Sequence, residues 1–304
     1  MKRQSEPLPK YKQDLLPSLL MTPALLIVFC IIVAPMLYGL AVSFFSFRLG
    51  DSFSQENFAG LSNYLRAFQD KAVWKSLVNT VLFSLGCVSG DLLFGTVAAI
   101  LLYRLPDRIA GILRAVLIMP MLVAPIVTGL MWSNLFDANG IIYWLLRQVN
   151  ISHSQFLGVS GRSTALLCCI IAHWWQNTPF IIIMVTAGLM SIPEELYEAA
   201  YCDGGGLFNT MRYVTLPLLK SVYMVSILIS GVDTIKSFDI IYALTGGGPA
   251  NASMTLNLYT YQQAFEAGDL SYSMALSVLV MLVALVCFGG PFVRYNMKKG
   301  GESQ

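Results

Sequence analysis

Charge is scarce in this chain. Only 12% of its 304 residues are Asp, Glu, Lys or Arg, and histidine occurs twice, at His153 and His173. A net charge of +2 gives no basic surface of the kind nucleic acid requires. There is no GxxxxGK[ST] stretch, so the chain has no phosphate-cradling loop with which to bind ATP. HExxH, GxSxG and a cleft pattern of paired carboxylates are also missing, which argues against a hydrolase or a metalloenzyme. The six cysteines, at 30, 87, 168, 169, 202 and 287, have neither metal-site nor disulfide-framework spacing. They read as small apolar fillers. His173 precedes Trp174 and Trp175 and reads as structural rather than as a ligand. No internal repeat or low-complexity tract is visible.

What the chain has instead is apolar length. It is 56% hydrophobic with a mean hydropathy of +0.65, a balance that belongs to a polytopic membrane protein. A bilayer core needs about 20 apolar residues per helix. Six stretches qualify: 17–46, 76–103, 109–135, 164–190, 217–244 and 272–295. The apolar run from Leu15 to Phe47 is too long for a signal-peptide core and reads as the first span. Pro106 marks a tight turn between spans two and three, and Asn139-Gly140 a turn after span three. Residues 141–148, IIYWLLRQ, read as a short helix at the membrane interface. The organisation is thus a tail at 1–16, a membrane domain at 17–295 and a tail at 296–304. Twelve basic residues fall on the side of both termini and six on the other, so both termini are expected in the cytoplasm.

Between spans four and five lies a polar stretch, 193–217, reading PEELYEAAYCDGGGLFNTMRYVTLP. Pro193 suits a helix start, and Glu194 and Glu195 suit the positive end of its dipole. Leu196, Ala199 and Ala200 make a narrow apolar face. Gly204, Gly205 and Gly206 break the helix and allow positive φ. Phe208, Met211 and Val214 restart an apolar stripe, and Pro217 enters the next span.

This stretch resembles the EAA loop of ABC importer permeases. The matching residues are Glu198, Ala199 and Ala200, then Gly204, then Val214 in place of Ile, then Leu216 and Pro217. Asp203-Gly204-Gly205 stands where sugar permeases have Asp-Gly-Ala. The likeness extends to Gly60, Leu61, Asn63, Tyr64, Trp74 and Asn79-Thr80, to Trp175, Pro179 and Phe180, and to Phe238, Asp239 and the LTGGGP run at 244–249. These features resemble the first permease of a maltose-type pair, in a compact six-span version. The resemblance implies an all-α fold of six transmembrane helices with a cytoplasmic coupling helix, the type I importer arrangement. It implies that Glu198, Ala199, Ala200, Asp203, Gly204, Leu216 and Pro217 couple to an ATPase, with Glu198 as the anchoring polar contact. The implied partners are a second homologous permease, two ATPase subunits that bind ATP and Mg, an extracytoplasmic solute-binding protein, the lipid bilayer and a sugar-type substrate. No cofactor is implied in this chain itself.

Ionisable residues inside spans are costly and therefore informative. Asp91 falls in span two, and Asp233, Lys236 and Asp239 in span five, with Asp233 and Lys236 spaced to pair on one helix face. Ser230, Thr234 and Ser237 share one face of span five. Together with Asn177 and Phe180 they fall where the family places sugar contacts. Small hydroxyl residues also serve close helix packing, and both readings stand. The alternative to an importer subunit is a stand-alone secondary transporter or channel for a small polar solute. It would leave the 193–217 loop without a purpose.

Overall fold

The computed structural model describes residues 21–51, 57–137, 139–148, 164–290, 292–293 and 297. The tail 1–16, the start of the first expected span, His153, Arg162, Arg294, Lys298 and Lys299 lie outside them. Among the described residues there is no strand, only one isolated bridge between Phe45 and Phe58. The first helix, α1 (Met21–Val42), is apolar on all sides and buries only Val42. A short helix α2 (Ser62–Gln69) leads into α3 (Lys71–Tyr103). At 1.5 Å per residue the 33 residues of α3 span about 50 Å, well beyond a hydrocarbon core of about 30 Å. The chain continues through α4 (Asp107–Leu122), α5 (Pro125–Leu135) and the short α6 (Ile141–Gln148). Then come α7 (Ala165–Met190), α8 (Glu194–Cys202), α9 (Phe208–Leu218) and α10 (Lys220–Lys236). The last three are α11 (Asp239–Thr245), α12 (Leu256–Tyr261) and α13 (Leu270–Gly289).

Among the described residues four helices, α1, α3, α7 and α13, are each long and apolar enough to cross a membrane; the bent pairs α4–α5 and α9–α10 bring the number to six if each is one span. The stretch expected as one span over 109–135 is bent by 96°. Pro120 and Pro125 flank the break, and Ala124, forced out of the helical region by the following proline, is extended at ψ 137°. The Val123 carbonyl freed there accepts a hydrogen bond from Gln176 Nε2 of α7 at 2.6 Å. The stretch expected over 217–244 also divides. A 63° bend separates α9 from α10, and α10 stops at Lys236, whose carbonyl is taken by Asn257 Nδ2 at 2.6 Å.

The core has three parts and α3 supplies residues to each. Phe83 and Cys87 pack with Cys168, Cys169 and Ile241. Val73 and Val88 pack with Ile235, Tyr272 and Leu276. Ala99 and Leu102 pack with Ile181, Val185 and Leu219. The three buried cysteines act here as apolar filler. Polar residues on the first half of α3 hold the loop after α11. Lys75 donates to the Ala250 carbonyl, Asn79 to those of Asn251 and Met254, and the Thr80 hydroxyl accepts from Leu256 N–H. Asn63 holds the strand-like entry by donating to the carbonyls of Ser43 and Phe45.

Two carboxylates cap two spans and are tied together. Asp70 accepts from Ala72 N–H at the start of α3, and Asp269 from Tyr272 N–H at the start of α13. Tyr259 and Tyr272 donate their hydroxyls to Asp70 Oδ2 at 2.7 and 3.1 Å. Arg66 bonds Asp269 at 2.6 Å and lies 3.9 Å over the Tyr272 ring. Burial alone would raise the Asp70 carboxyl, but the hydrogen bonds from Tyr259, Ala72 and Tyr272 and the nearby Arg66 charge hold it below the usual carboxylate value. We expect Asp70→Ala to lower the unfolding midpoint of the purified protein, a loss of about 1–3 kcal/mol. Arg66→Ala should cost less, because half of that side chain faces solvent. A depressed folded value means the contribution is present above the ordinary range and is lost as pH falls through the folded value. The gap between wild type and Asp70→Ala should therefore close only below about pH 4. Equal midpoints at neutral pH would refute the clamp.

Candidate functional site

The loop 193–217 folds as two short helices, α8 and α9, that meet at the glycines. Pro193 is the residue before α8, with ψ 135°, and Glu194 and Glu195 occupy the first turn. The three glycines have three different situations. Gly204 has φ +77° and open space around it, so its role is conformational. Gly204 N–H bonds the Tyr201 carbonyl and Gly205 N–H bonds the Ala200 carbonyl at 2.8 Å, the paired bonds that close a helix through a left-handed residue. At Gly205 a Cβ would lie 2.5 Å from the Ala200 oxygen, so close approach excludes a side chain there. Gly206 has neither a positive φ nor a near neighbour.

Glu198, Ala199, Asp203, Gly204, Leu216 and Pro217 are exposed, and Ala200 is half-buried. Glu198 bonds to no group among the described residues. The outward face also carries Leu196, Tyr201, Phe208 and Tyr213, the last two more than two-thirds exposed at 73% and 70%. The expected stripe of Phe208, Met211 and Val214 is not the buried one: Met211 and Val214 are half-buried, whereas Thr210 and Thr215 are buried. Thr210 donates its hydroxyl to the Gly206 carbonyl, and Thr215 donates to the Tyr197 hydroxyl. Thr210 is buried at low cost because its hydroxyl bonds the preceding turn, and Thr215 because it bonds a tyrosine of α8, signals that hydrophobicity counts do not register. Beside the loop, Tyr103 and Arg104 from the end of α3 join Glu194, Tyr197, Tyr201 and Thr210 around a cleft of about 410 Å³.

The candidate substrate residues lie on α7 and at the end of α10. Asn177 and Phe180 are half-buried on α7, with Asn177 Nδ2 3.4 Å from the His173 carbonyl. On α10, Ser230 and Thr234 are buried. Thr234 donates to the Gly231 carbonyl and shares a hydrogen bond with Ser84 of α3. At neighbouring Gly231 a Cβ would meet the Phe288 ring at 2.3 Å, so this face of α10 is closed against other helices in this conformation. Ser237 is half-buried at the residue ending α10. The open face of α10 carries Asp233 and Lys236, paired at 2.9 Å and both more than half exposed. Beyond them Phe238, Tyr242, Tyr261 and Phe265 make a cluster of ring contacts with centroids 4.7–5.7 Å apart. The sequence shows these rings only as spaced aromatics, and their convergence needs residues 246–255 to turn α12 back toward α11. Asp91 is buried between α3 and α7, within 3.4 Å of His173.

Comparison with known proteins follows this geometry. The binding-protein-dependent transport system inner membrane component family matches residues 91–294. The trehalose/maltose transport system permease protein MalF of Thermococcus litoralis is 34% identical over 278 residues, covering 91% of this chain and 92% of that protein. The sulfoquinovosyl glycerol transport system permease protein SmoG of Agrobacterium fabrum is 34% identical over 281 residues, 92% and 90% of the two chains. The sn-glycerol-3-phosphate transport system permease protein UgpA of Agrobacterium fabrum is 31% identical over 300 residues, 95% and 98%. Among solved structures, a chain of a bacterial ABC transporter that imports alginate superposes with a TM-score of 0.78 over 93% of this chain and 96% of that one, at 17% identity, a likeness of fold. With its helical membrane domain, its two-helix glycine-hinged loop and these matches, the chain belongs to the binding-protein-dependent transport system inner membrane component family and is a permease subunit of an ABC importer.

Proposed function

We propose that the chain pairs with a second homologous permease to form the pathway for a sugar or a related polyol or glycerophosphate compound, delivered by an extracytoplasmic binding protein. Two ATPase subunits, holding ATP and Mg, drive the cycle, and this chain is a non-catalytic member of the complex. The observation that carries the reading is α8: a short helix closed by Gly204 at φ +77°, presenting an unpaired Glu198 beside exposed Leu196 and Ala199. A rigid helix of this kind, seated in an ATPase groove, transmits closure of the ATPase pair to the spans on either side as a rigid-body motion. The relatives' named substrates, trehalose and maltose, sulfoquinovosyl glycerol and glycerol 3-phosphate, are all polyhydroxylated, which supports the substrate class. The stand-alone transporter reading leaves that loop unexplained.

Recognition of such a compound needs hydroxyl and amide groups with an aromatic ring to stack on. Asn177, Phe180, Ser230, Thr234 and Ser237 are the proposed contacts, and the open Asp233–Lys236 pair extends that wall. In the present conformation Ser230 and Thr234 face helices, so they would meet substrate only after α10 turns.

Three outcomes test the proposal. Glu198→Lys and Gly204→Val should reduce ATPase co-purification and abolish uptake of a trehalose, maltose and glycerol 3-phosphate panel. Loss of a charge-assisted contact costs about 1.5–3 kcal/mol, and valine is strained at positive φ. Normal assembly and uptake in both variants would reject the coupling assignment. Asn177→Leu and Ser237→Leu should leave the complex assembled while lowering uptake. Ser230→Leu and Thr234→Leu should also destabilise it, by about 1–3 kcal/mol, through overpacking. Unaltered uptake in all four would remove this wall from the pathway. A reporter fused after Gln304 should be cytoplasmic, as the basic-residue asymmetry requires; an extracytoplasmic signal would invert the topology.

A further inference from the structure

Two observations about α3 and α7 converge. The first is how close the helices lie. A Cβ at Gly86 would stand 2.8 Å from Ile170 Cδ1, at Gly90 2.1 Å from the Trp174 ring, and at Gly95 2.6 Å from Ile181 Cβ. Side chains of α7 therefore sit in three notches of α3. Trp174 Nε1–H closes the contact by donating to the Gly86 and Cys87 carbonyls at 3.0 and 3.2 Å.

The second is a polar contact in the same interface. Asp91 is 1% exposed and His173 4%. Asp91 Oδ1 accepts from the Thr178 hydroxyl at 3.1 Å, and Asp91 Oδ2 lies 3.4 Å from His173 Nδ1, each of those two buried atoms having no hydrogen-bond partner among the described residues and so only the other to face. One carboxylate thus holds two points of α7, residues 173 and 178. Between them lies the Trp175 carbonyl, where the helical ladder is broken. Pro179 is inside α7 and has no N–H, so the Trp175 carbonyl loses its partner in the helical ladder. A helix bends most readily at such a gap. Asp91 spans it.

We infer that Asp91 is a positioning residue that braces α7 around the Trp175 carbonyl that Pro179 leaves unpaired, so that α3 and α7 move as a single body during transport and carry Asn177 and Phe180 in a fixed orientation. The inference rests on the transport reading given above. Its energetic reason is direct. Parting the helices would strand a buried carboxylate away from His173 and Thr178, and breaking a buried polar pair is among the most costly single events in a protein interior. The glycine notches add close contact that no partial opening retains.

The test uses the assembled complex with Gly86→Cys and Ile170→Cys, and with Cys87→Ala and Cys169→Ala to prevent alternative pairing. The Gly86 Cβ position is 3.5 and 3.6 Å from the Ile170 Cγ atoms, which puts the two cysteines within disulfide reach. Cysteine at 170 also removes the Cδ1 methyl group that a Cβ at 86 would meet. Crosslinking should proceed at the same rate, within about twofold, in the resting complex and in the complex trapped with ATP and vanadate, and the oxidised complex should hydrolyse ATP like the reduced one. Adding Asp91→Asn should slow crosslinking in the trapped state by roughly tenfold, while Asp91→Glu should not, because the pair no longer holds when its charge is removed. A large rate difference between states with Asp91 intact would overturn the single-body inference. An Asp91→Asn rate that stays equal in both states would overturn the brace. If no ATPase subunit co-purifies, the coupling reading fails separately. The unfolding midpoint of the isolated chain then decides the brace: Asp91→Asn should lower it and Asp91→Glu largely restore it, and an unchanged midpoint in Asp91→Asn would refute it.

Discussion

A hydrocarbon core offers no water, so every backbone group that a helix leaves unpaired must find a partner inside the protein. The breaks in this fold follow that constraint. Where Pro120 and Pro125 open the chain between α4 and α5, Gln176 reaches across to the Val123 carbonyl. Where α10 ends, Asn257 takes the Lys236 carbonyl. Where α12 begins, the Thr80 hydroxyl receives Leu256 N–H, and after α1 the Phe47 N–H is received by Ser271 Oγ of α13. Each repair comes from a different helix. The polar side chains inside the apolar domain are thus what lets irregular backbone exist there, and they fix which helices are neighbours.

The same economy explains the division of labour among the helices. Helix α3 contributes to all three parts of the core, caps its own start with Asp70 and holds the loop after α11. Its other end, Tyr103 and Arg104, borders the cleft beside α8. A motion of the 193–217 loop therefore has a continuous, densely packed route along α3 and α7 toward the end of α10. Leu219, 1% exposed between α9 and α10, sits in the cluster with Ala99 and Val185 and ties the loop to that route.

How much of the site could be read in advance differs by region. Around Glu198 and Gly204 the signal is local. A glycine that closes a helix, acidic residues at its start and a polar stretch between two spans depend on nearest-neighbour geometry, and the short helix ends where its spacing says it must. On α10 the local signal leaves two readings open. Ser230, Thr234 and Ser237 share a face by spacing, yet their burial depends on where α3 and α13 lie. A hydroxyl toward a pathway and a hydroxyl toward a glycine notch look identical in a sequence. The aromatic series from Phe238 to Phe265 was equally hidden, because Phe238 and Tyr242 meet Tyr261 only when residues 246–255 turn α12 back toward α11.

The sequence by itself determined the helical class, the apolar stretches available for crossing, the place of the short glycine-closed helix in loop 193–217 and the pairing of Asp233 with Lys236. These rest on composition, on the length a bilayer demands and on contacts within a few residues of one helix. Only the tertiary structure decided that two of the six stretches are bent, that Thr210 and Thr215 rather than Phe208 are buried, and that Asp91 meets His173 and Thr178. The physical reason is that burial and polar pairing are properties of two surfaces at once. One helix carries only half of that information.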